Sequence, residues 1–283
     1  MKQRWLVAVV GIPLLLAVLL ACPPWATAIL VCAIAGVAAY ELLHVAGKNV
    51  SKPVYAATIA TAVMLVGTAY TDELFRVEGS AFPHDPFDLI WTWPWLLVTI
   101  LFFLAVVTYG RENAVPFSTV GTAVVGGVAF PMMYSCIVLL RMHETYGRLY
   151  VLAPFTVAFA GDALAMYFGK WFGNKKLTPV SPNKTWAGFW GGILGSVLGL
   201  LALSLIGARW LGYAPDYLKL LCVGAAANLL GQLGDLSTSL IKREAGVKDY
   251  SHLFLTHGGV LDRFDSTLFI APVVYFFVSL GFI

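Results

Sequence analysis

The chain has 283 residues, of which 59% are hydrophobic and only 12% are charged, and its net charge is +3. A soluble domain carries about 25% charged residues, so a single core surrounded by water is excluded and the composition indicates a protein embedded in a lipid bilayer. The basic residues form no patch on a soluble domain, and we therefore expect no nucleic-acid partner.

The N-terminal segment combines a basic start, Met1–Arg4, with an apolar run, which is also the pattern of a signal peptide. The tetrapeptide Leu19–Cys22 loosely resembles a lipoprotein cleavage site. However, more apolar segments follow instead of an exported polar domain. We therefore predict that this segment is retained as a transmembrane helix.

Apolar runs of about 20 residues can cross a bilayer as helices. The sequence predicts an all-α, polytopic integral membrane protein with about nine such helices. The predicted spans are Trp5–Cys22, Trp25–Leu43, Val54–Tyr70, Leu89–Tyr109, Phe117–Leu140, Val151–Phe172, Trp186–Trp210, Leu218–Ile241 and Ser266–Ile283.

The distribution of basic residues predicts the orientation, because Lys and Arg are enriched on the cytoplasmic side. With the N-terminus inside and the C-terminus outside, 13 of the 18 Lys and Arg residues face the inside. Two inner loops, residues 170–185 and 242–265, hold most of the clustered charge. We therefore expect a protein of the cell membrane in which residues 1–150 form a lipid groove and scaffold. Residues 151–283 would form a catalytic region that faces the cytoplasm.

Three carboxylates, Glu41, Asp162 and Asp235, lie within or at the ends of apolar spans. A carboxylate facing lipid costs on the order of 3 kcal/mol, so such groups normally face a cavity and indicate function. The alternative is a structural ion pair with a nearby Lys or Arg.

The loop 242–265 combines residue types suited to metal and phosphate chemistry. Its aspartates can bind hard divalent cations through oxygen, and its Lys and Arg residues can neutralise phosphate oxygens. The pair Gly258-Gly259 lets backbone N–H groups approach an anion closely. Asp262 and Asp265 would share one face of a helix. The loop 170–185 supplies donors without carboxylates, which suits an anionic substrate or ordinary positive-inside bias, and Pro179 and Pro182 predict that it is rigid and extended.

The order of these residues resembles the signature of the phosphatidate cytidylyltransferases, or CDP-diacylglycerol synthases. The resemblance covers about the last 125 residues. It rests on Ser239, Ile241, Lys242, Arg243, Lys248 and Asp249, then His257, Gly258, Gly259, Asp262, Arg263, Phe264 and Asp265, and on an earlier stretch with Gly161, Asp162, Tyr167, Gly169, Lys170, Gly173, Leu177, Pro179, Ser181, Pro182, Lys184 and Thr185. The chain departs from the family pattern at Leu255-Thr256, where Pro-Gly is usual, and at Ala187, where Glu is usual.

The resemblance implies that CTP and phosphatidic acid react to give CDP-diacylglycerol and pyrophosphate, with Mg²⁺ at a two-metal site as the expected cofactor and a monovalent cation as a further candidate. Asp235 and Asp262 would be metal ligands, with Asp265 and Asp249 as second choices. Lys242, Arg243, Lys248 and Arg263 would contact phosphates, and His257 with Gly258 and Gly259 would orient the triphosphate. The remaining substrate-binding residues would be Asp162, Lys175, Lys176, Ser181, Lys184, Thr185 and Ser239.

Other functional classes make different predictions. An ion-coupled transporter would carry inverted repeats and polar residues near the midplane of several helices, and no repeat is evident. A related enzyme acting on an isoprenoid or ether lipid, and a non-catalytic scaffold, are further alternatives. The glycine spacing in the seventh span, from Gly188 to Gly199, predicts close helix packing within the chain or, alternatively, a homodimer interface.

Overall fold

The computed structural model describes the backbone of residues 2–77, 86–253 and 258–282, and side chains within 11–76, 90–253 and 258–282. The described part of the chain is helical and contains no β-strand beyond one isolated bridge. The helices are α1 Lys2–Leu20, α2 Pro24–Ala46, α3 Lys52–Val77, α4 Pro86–Thr108, α5 Phe117–Val124, α6 Phe130–Met142, α7 Gly147–Tyr150, α8 Ala153–Phe172, α9 Trp186–Leu211, α10 Tyr217–Glu244 and α11 Leu261–Ser279, with a π-helical turn at Val125–Ala129 between α5 and α6.

Seven described helical segments are long and apolar enough to cross a membrane, and they match the second to the eighth predicted spans. The all-α, multi-pass class is therefore confirmed. The predicted first and ninth spans correspond to α1 and α11, which are helical but are not among these seven. The total of nine crossings and the orientation of the termini stay predictions.

The described chain divides into two compact units, and the first combines Met1–Met142 with Glu244–Arg263. Within this unit α2 packs against α3 and α6, and α3 also packs against α4. Pro24 at the first position of α2 suits a helix start because its missing N–H would have no helical partner. A buried apolar cluster joins α2, α3, α4 and α5 through Leu43, Val54, Leu97 and Val120.

The second unit combines His143–Arg243 with Phe264–Ile283, and its main contact is α8 against α9. The glycines of α9 make this contact close: a Cβ at Gly195 would collide with the Ala160 carbonyl oxygen and lie 2.9 Å from the Leu164 Cβ. The glycine spacing is thus used for packing within the chain, as the first of the two interpretations predicts.

The loop before α9 is closed and not extended. The Leu177 N–H donates to the Lys184 carbonyl oxygen at 2.9 Å, and the Trp186 N–H donates to the Lys175 carbonyl oxygen at 3.1 Å. A turn inside it places the Lys184 N–H 3.0 Å from the Ser181 carbonyl oxygen. The prediction of an extended loop was therefore wrong, because the two prolines lie in the turn of a small hairpin, where their fixed φ is tolerated.

Candidate active site

Asp235 and Lys184 form the central ion pair of the second unit. The Lys184 Nζ lies 2.5 Å from the Asp235 Oδ2, and the two side chains are 25% and 28% exposed, respectively. The Ser239 hydroxyl, one helical turn later on α10, lies 3.4 Å from the Asp235 Oδ1. The closed loop before α9 therefore delivers a predicted substrate-binding lysine to a predicted metal ligand.

Asp265 and Asp162 bring further negative charge to the same unit. The Asp265 carboxyl interacts electrostatically with Asp235, Asp162 and Lys242, and Asp162 also interacts with Lys184. The Thr238 hydroxyl lies 3.4 Å from the Asp265 Oδ2, and the Ser266 N–H donates to Oδ1 at 2.7 Å. Five of the predicted site residues are thus brought into one electrostatic group: Asp162, Lys184, Asp235, Lys242 and Asp265.

A buried chain of polar side chains supports α10 next to this group. The Gln232 Nε2 donates to the Asn228 Oδ1 at 2.5 Å and to the Phe189 carbonyl oxygen at 3.1 Å. The Asn228 Nδ2 donates to the Ser196 hydroxyl at 2.6 Å, and this hydroxyl donates to the Val157 carbonyl oxygen at 2.7 Å. These bonds tie α8, α9 and α10 together in a setting where unpaired polar groups are costly.

Thr185 has a structural role, since its hydroxyl oxygen accepts the Gly188 N–H at 3.1 Å and caps the N-terminus of α9. Its side chain is buried, while Lys175 and Lys176 are exposed and Ser181 is half-buried. Contacts of these four residues with substrate stay predictions.

Asp262 lies in the first unit, in the first turn of α11. Its Oδ2 accepts the Gly259 N–H at 2.9 Å and the Tyr250 N–H at 2.8 Å. Gly258 has a φ of +80°, and a Cβ there would lie 2.7 Å from the same oxygen. The glycine pair therefore lets the backbone approach the chain's own carboxylate, whereas the sequence predicted an approach to a substrate anion.

Glu41 of α2 is the functional candidate that the sequence-based site assignment left out. Its side chain is 1% exposed. It accepts the Ser251 hydroxyl at 2.6 Å and the Val260 and Leu261 N–H groups at 3.0 and 2.8 Å. These donors are a hydroxyl and two backbone N–H groups, whereas the alternative prediction was an ion pair with Lys or Arg. The only sequence signal was an acidic residue in an apolar helix.

The exposure of the remaining predicted residues is as follows. Arg243, Lys248 and Arg263 are exposed, and Asp249 is half-buried. His257 and the departure at Leu255-Thr256 lie outside the described residues.

The side chains that could bind a metal ion are considered by their donor atoms and their grouping. Among residues 11–76, 90–253 and 258–282, no group of three or more His, Cys, Asp or Glu side chains surrounds one metal position. The donors are nevertheless hard carboxylates, which suit Mg²⁺, and the Lys184 ammonium already places a cation against Asp235.

Comparison with known proteins shows similarity along nearly the whole chain. The profile of the cytidylyltransferase family matches residues 2–281. The chain is 32% identical over 286 residues to the phosphatidate cytidylyltransferase of Bacillus subtilis (strain 168), covering 99% of this chain and 98% of that protein. It is 34% identical over 216 residues to the phosphatidate cytidylyltransferase of Brucella abortus biovar 1 (strain 9-941), covering 71% and 77%. With Staphylococcus epidermidis phosphatidate cytidylyltransferase the identity is 42% over 129 residues, covering 45% and 48%. The chain belongs to the cytidylyltransferase family.

Proposed function

We propose that this chain is a phosphatidate cytidylyltransferase, an enzyme that transfers CMP from CTP to phosphatidic acid in phospholipid biosynthesis. The observation that carries the proposal is the full-length similarity to the Bacillus subtilis enzyme of that name. A membrane protein with at least seven apolar helices also suits a lipid substrate that stays in the bilayer.

The reaction joins two polyanions. An oxygen of the lipid phosphate attacks the α-phosphorus of CTP, and the bond from that phosphorus to the oxygen bridging to the β-phosphate breaks. Pyrophosphate leaves with the electron pair. The nucleophile is already anionic at neutral pH, so no Ser-His-Asp arrangement is needed, and catalysis depends on charge neutralisation and in-line positioning.

The residues of the second unit suit this task. Lys184 supplies a cation on the loop before α9, and Lys242 lies on α10 two turns after Asp235. We assign these ammonium groups to phosphate oxygens of the substrates, together with the exposed Arg243 and Lys248. Asp162 interacts electrostatically with Lys184, and Asp265 with Lys242.

Asp235 and Asp262 are each proposed as a ligand of Mg²⁺, and a monovalent cation is a further candidate ion. When bound, Mg²⁺ would neutralise charge on the triphosphate. Asp235 fits this role because it already binds a cation, the Lys184 ammonium. Asp262 fits because its carboxylate is held by two backbone N–H groups and is therefore fixed in orientation.

The proposed location is the cell membrane, with the active site facing the cytoplasm, where CTP is available. The excess of Lys and Arg in the predicted inner loops supports this side. A homodimer stays a prediction, and the glycine stripe of α9 gives it no support because α8 occupies it.

The test is an assay of the purified full-length protein in detergent with labelled CTP, Mg²⁺ and phosphatidic acid. The expected result is a labelled CDP-lipid and an equal amount of pyrophosphate. Isoprenoid phosphates and ether-linked phosphatidic acid serve as competing acceptors. If either acceptor turns over faster than phosphatidic acid, that acceptor becomes the proposed lipid substrate. CTP consumption without a CDP-lipid would reject the proposed function.

A further inference from the structure

We propose that Glu41 is a positioning residue that fixes the segment Gly258–Asp262 in its catalytic arrangement. The proposal rests on the proposed function, because Asp262 is there assigned as a metal ligand. It concerns contacts inside the first unit only, where α2 and the residues before α11 lie.

Both oxygens of the Glu41 carboxylate accept hydrogen bonds from this segment or from Ser251. Oε1 accepts the Ser251 hydroxyl and the Val260 N–H, and Oε2 accepts the Leu261 N–H. Leu261 is the first residue of α11. A carboxylate at this place satisfies N–H groups that the helix leaves unpaired and interacts favourably with the positive end of the helix dipole.

The approach of Glu41 depends on Gly259. A Cβ at this position would lie 2.5 Å from the Glu41 Cδ, so the Glu41 carboxylate would have to move away. One glycine of the signature is therefore explained by a buried residue that precedes it by more than 200 positions.

Glu41 and Asp262 hold adjacent stretches of the same backbone. Glu41 binds the N–H groups of Val260 and Leu261, and Asp262 binds those of Gly259 and Tyr250. A shift of the segment would therefore move the Asp262 carboxylate together with its donors. Removing a supporting partner of a metal ligand typically costs about 10- to 100-fold in metal affinity or activity.

A purely structural role for Glu41 would lower stability and leave the kinetics of the folded protein unchanged. The two roles are separated with Glu41→Gln, in which one carboxylate oxygen becomes an N–H₂ group facing N–H donors. Gly259→Ala is a second variant, in which the new methyl group displaces the Glu41 carboxylate. Glu73→Gln on α3 is the matched control, since Glu73 pairs with Arg76 within its own helix.

The experiment uses the full-length protein in detergent, well below the melting temperature of each variant. We expect Glu41→Gln and Gly259→Ala to lower kcat by about tenfold or more and to raise the Mg²⁺ half-saturation. The KM for CTP should stay within about threefold of wild type, as should all constants of Glu73→Gln. Wild-type kcat and Mg²⁺ dependence in folded Glu41→Gln would overturn the proposal.

Hydrogen exchange of the Val260 and Leu261 amides gives a readout that needs no turnover. Exchange in Glu41→Gln should be about tenfold faster than in wild type, since one amide loses its acceptor and the other keeps only an uncharged one. Unchanged exchange would reject the positioning role while the proposed function stands. A wild-type protein that makes no CDP-lipid would instead reject the proposed function, and the exchange result would still show whether Glu41 holds the segment.

Discussion

The Lys184 ammonium lies 2.5 Å from the Asp235 carboxylate, and it comes from the loop before α9 while Asp235 lies on α10. Each group compensates the charge of the other at a partly buried position, where an unpaired charge is costly. The pair also means that a metal binding at Asp235 has to compete with Lys184. An ammonium released in this way would be available to an incoming phosphate.

Replacing Lys184 with Gln should therefore have two opposite effects. The kcat/KM for CTP should fall by about 10- to 100-fold, the usual value of one hydrogen bond to a charged group. The Mg²⁺ concentration for half-maximal activity should fall or stay unchanged, because the competing ammonium is gone. Both constants come from steady-state titrations with labelled CTP at saturating phosphatidic acid.

The matched control for this substitution is Lys219→Gln at the start of α10. Lys219 also pairs with an aspartate, Asp216 at 3.7 Å, but both side chains are well exposed. An exposed pair contributes little, so wild-type kinetics are expected. A Lys184→Gln enzyme within twofold of the wild-type kcat/KM for CTP would show that Lys184 does not contact the nucleotide.

Asp235→Asn and Asp262→Asn test the proposed metal ligands without removing the hydrogen-bond acceptors. The Asn carbonyl oxygen can still accept the Tyr250 and Gly259 N–H groups at position 262, so the local structure should persist. Loss of the negative charge should lower turnover by about 100-fold or more. Chelation with EDTA should abolish wild-type activity, and added Mg²⁺ should restore it.

Asp216→Asn is the control for these two variants, because Asn replaces Asp well as the N-terminal cap that Asp216 provides to Leu218. Its turnover should equal that of wild type. A variant at position 235 or 262 that keeps more than a tenth of wild-type turnover in Mg²⁺ would remove that residue from the ligand set.

The sequence predicted the helical spans well because membrane crossing depends on the local length of an apolar run. It singled out Asp235 and Lys184 separately, through residue type, and their direct contact became visible only in three dimensions. The partners of Glu41 were out of reach, since they lie 210 to 220 positions away and two of the three are backbone N–H groups. Nearly every residue carries a backbone N–H, so the sequence does not indicate which of them a buried carboxylate binds. The role of such a carboxylate therefore cannot be assigned from its neighbours along the chain.

Asn228 is expected to be important for stability. Asn228→Leu would remove the bond to Ser196 and leave the Gln232 amide without its Asn228 acceptor in a buried place. The expected loss in the free energy of unfolding is about 1–3 kcal/mol. Reversible unfolding in mixed detergent micelles of increasing SDS content measures this loss. Ser237→Ala, which removes an exposed hydroxyl bonded within its own helix, should stay within about 0.5 kcal/mol of wild type.

Gly195→Ala tests whether α8 and α9 pack in the membrane as closely as the structure has them. The new methyl group would collide with the Ala160 carbonyl oxygen, which cannot rotate away because it belongs to the backbone of α8. The helices must separate, and we expect a loss of about 1–3 kcal/mol in the free energy of unfolding. The same SDS titration measures the change.

Gly67→Ala on α3 provides the comparison, since nothing lies within 4 Å of a Cβ at that position. Alanine should stabilise this helix by up to about 1 kcal/mol, because it has the higher helix propensity and restricts the unfolded chain. The sign of the effect should therefore differ between two identical substitutions in two apolar helices. Equal stabilisation by both would mean that α9 does not approach α8 closely enough to require glycine, and the delivery of Lys184 to Asp235 by that helix pair would lose its structural support.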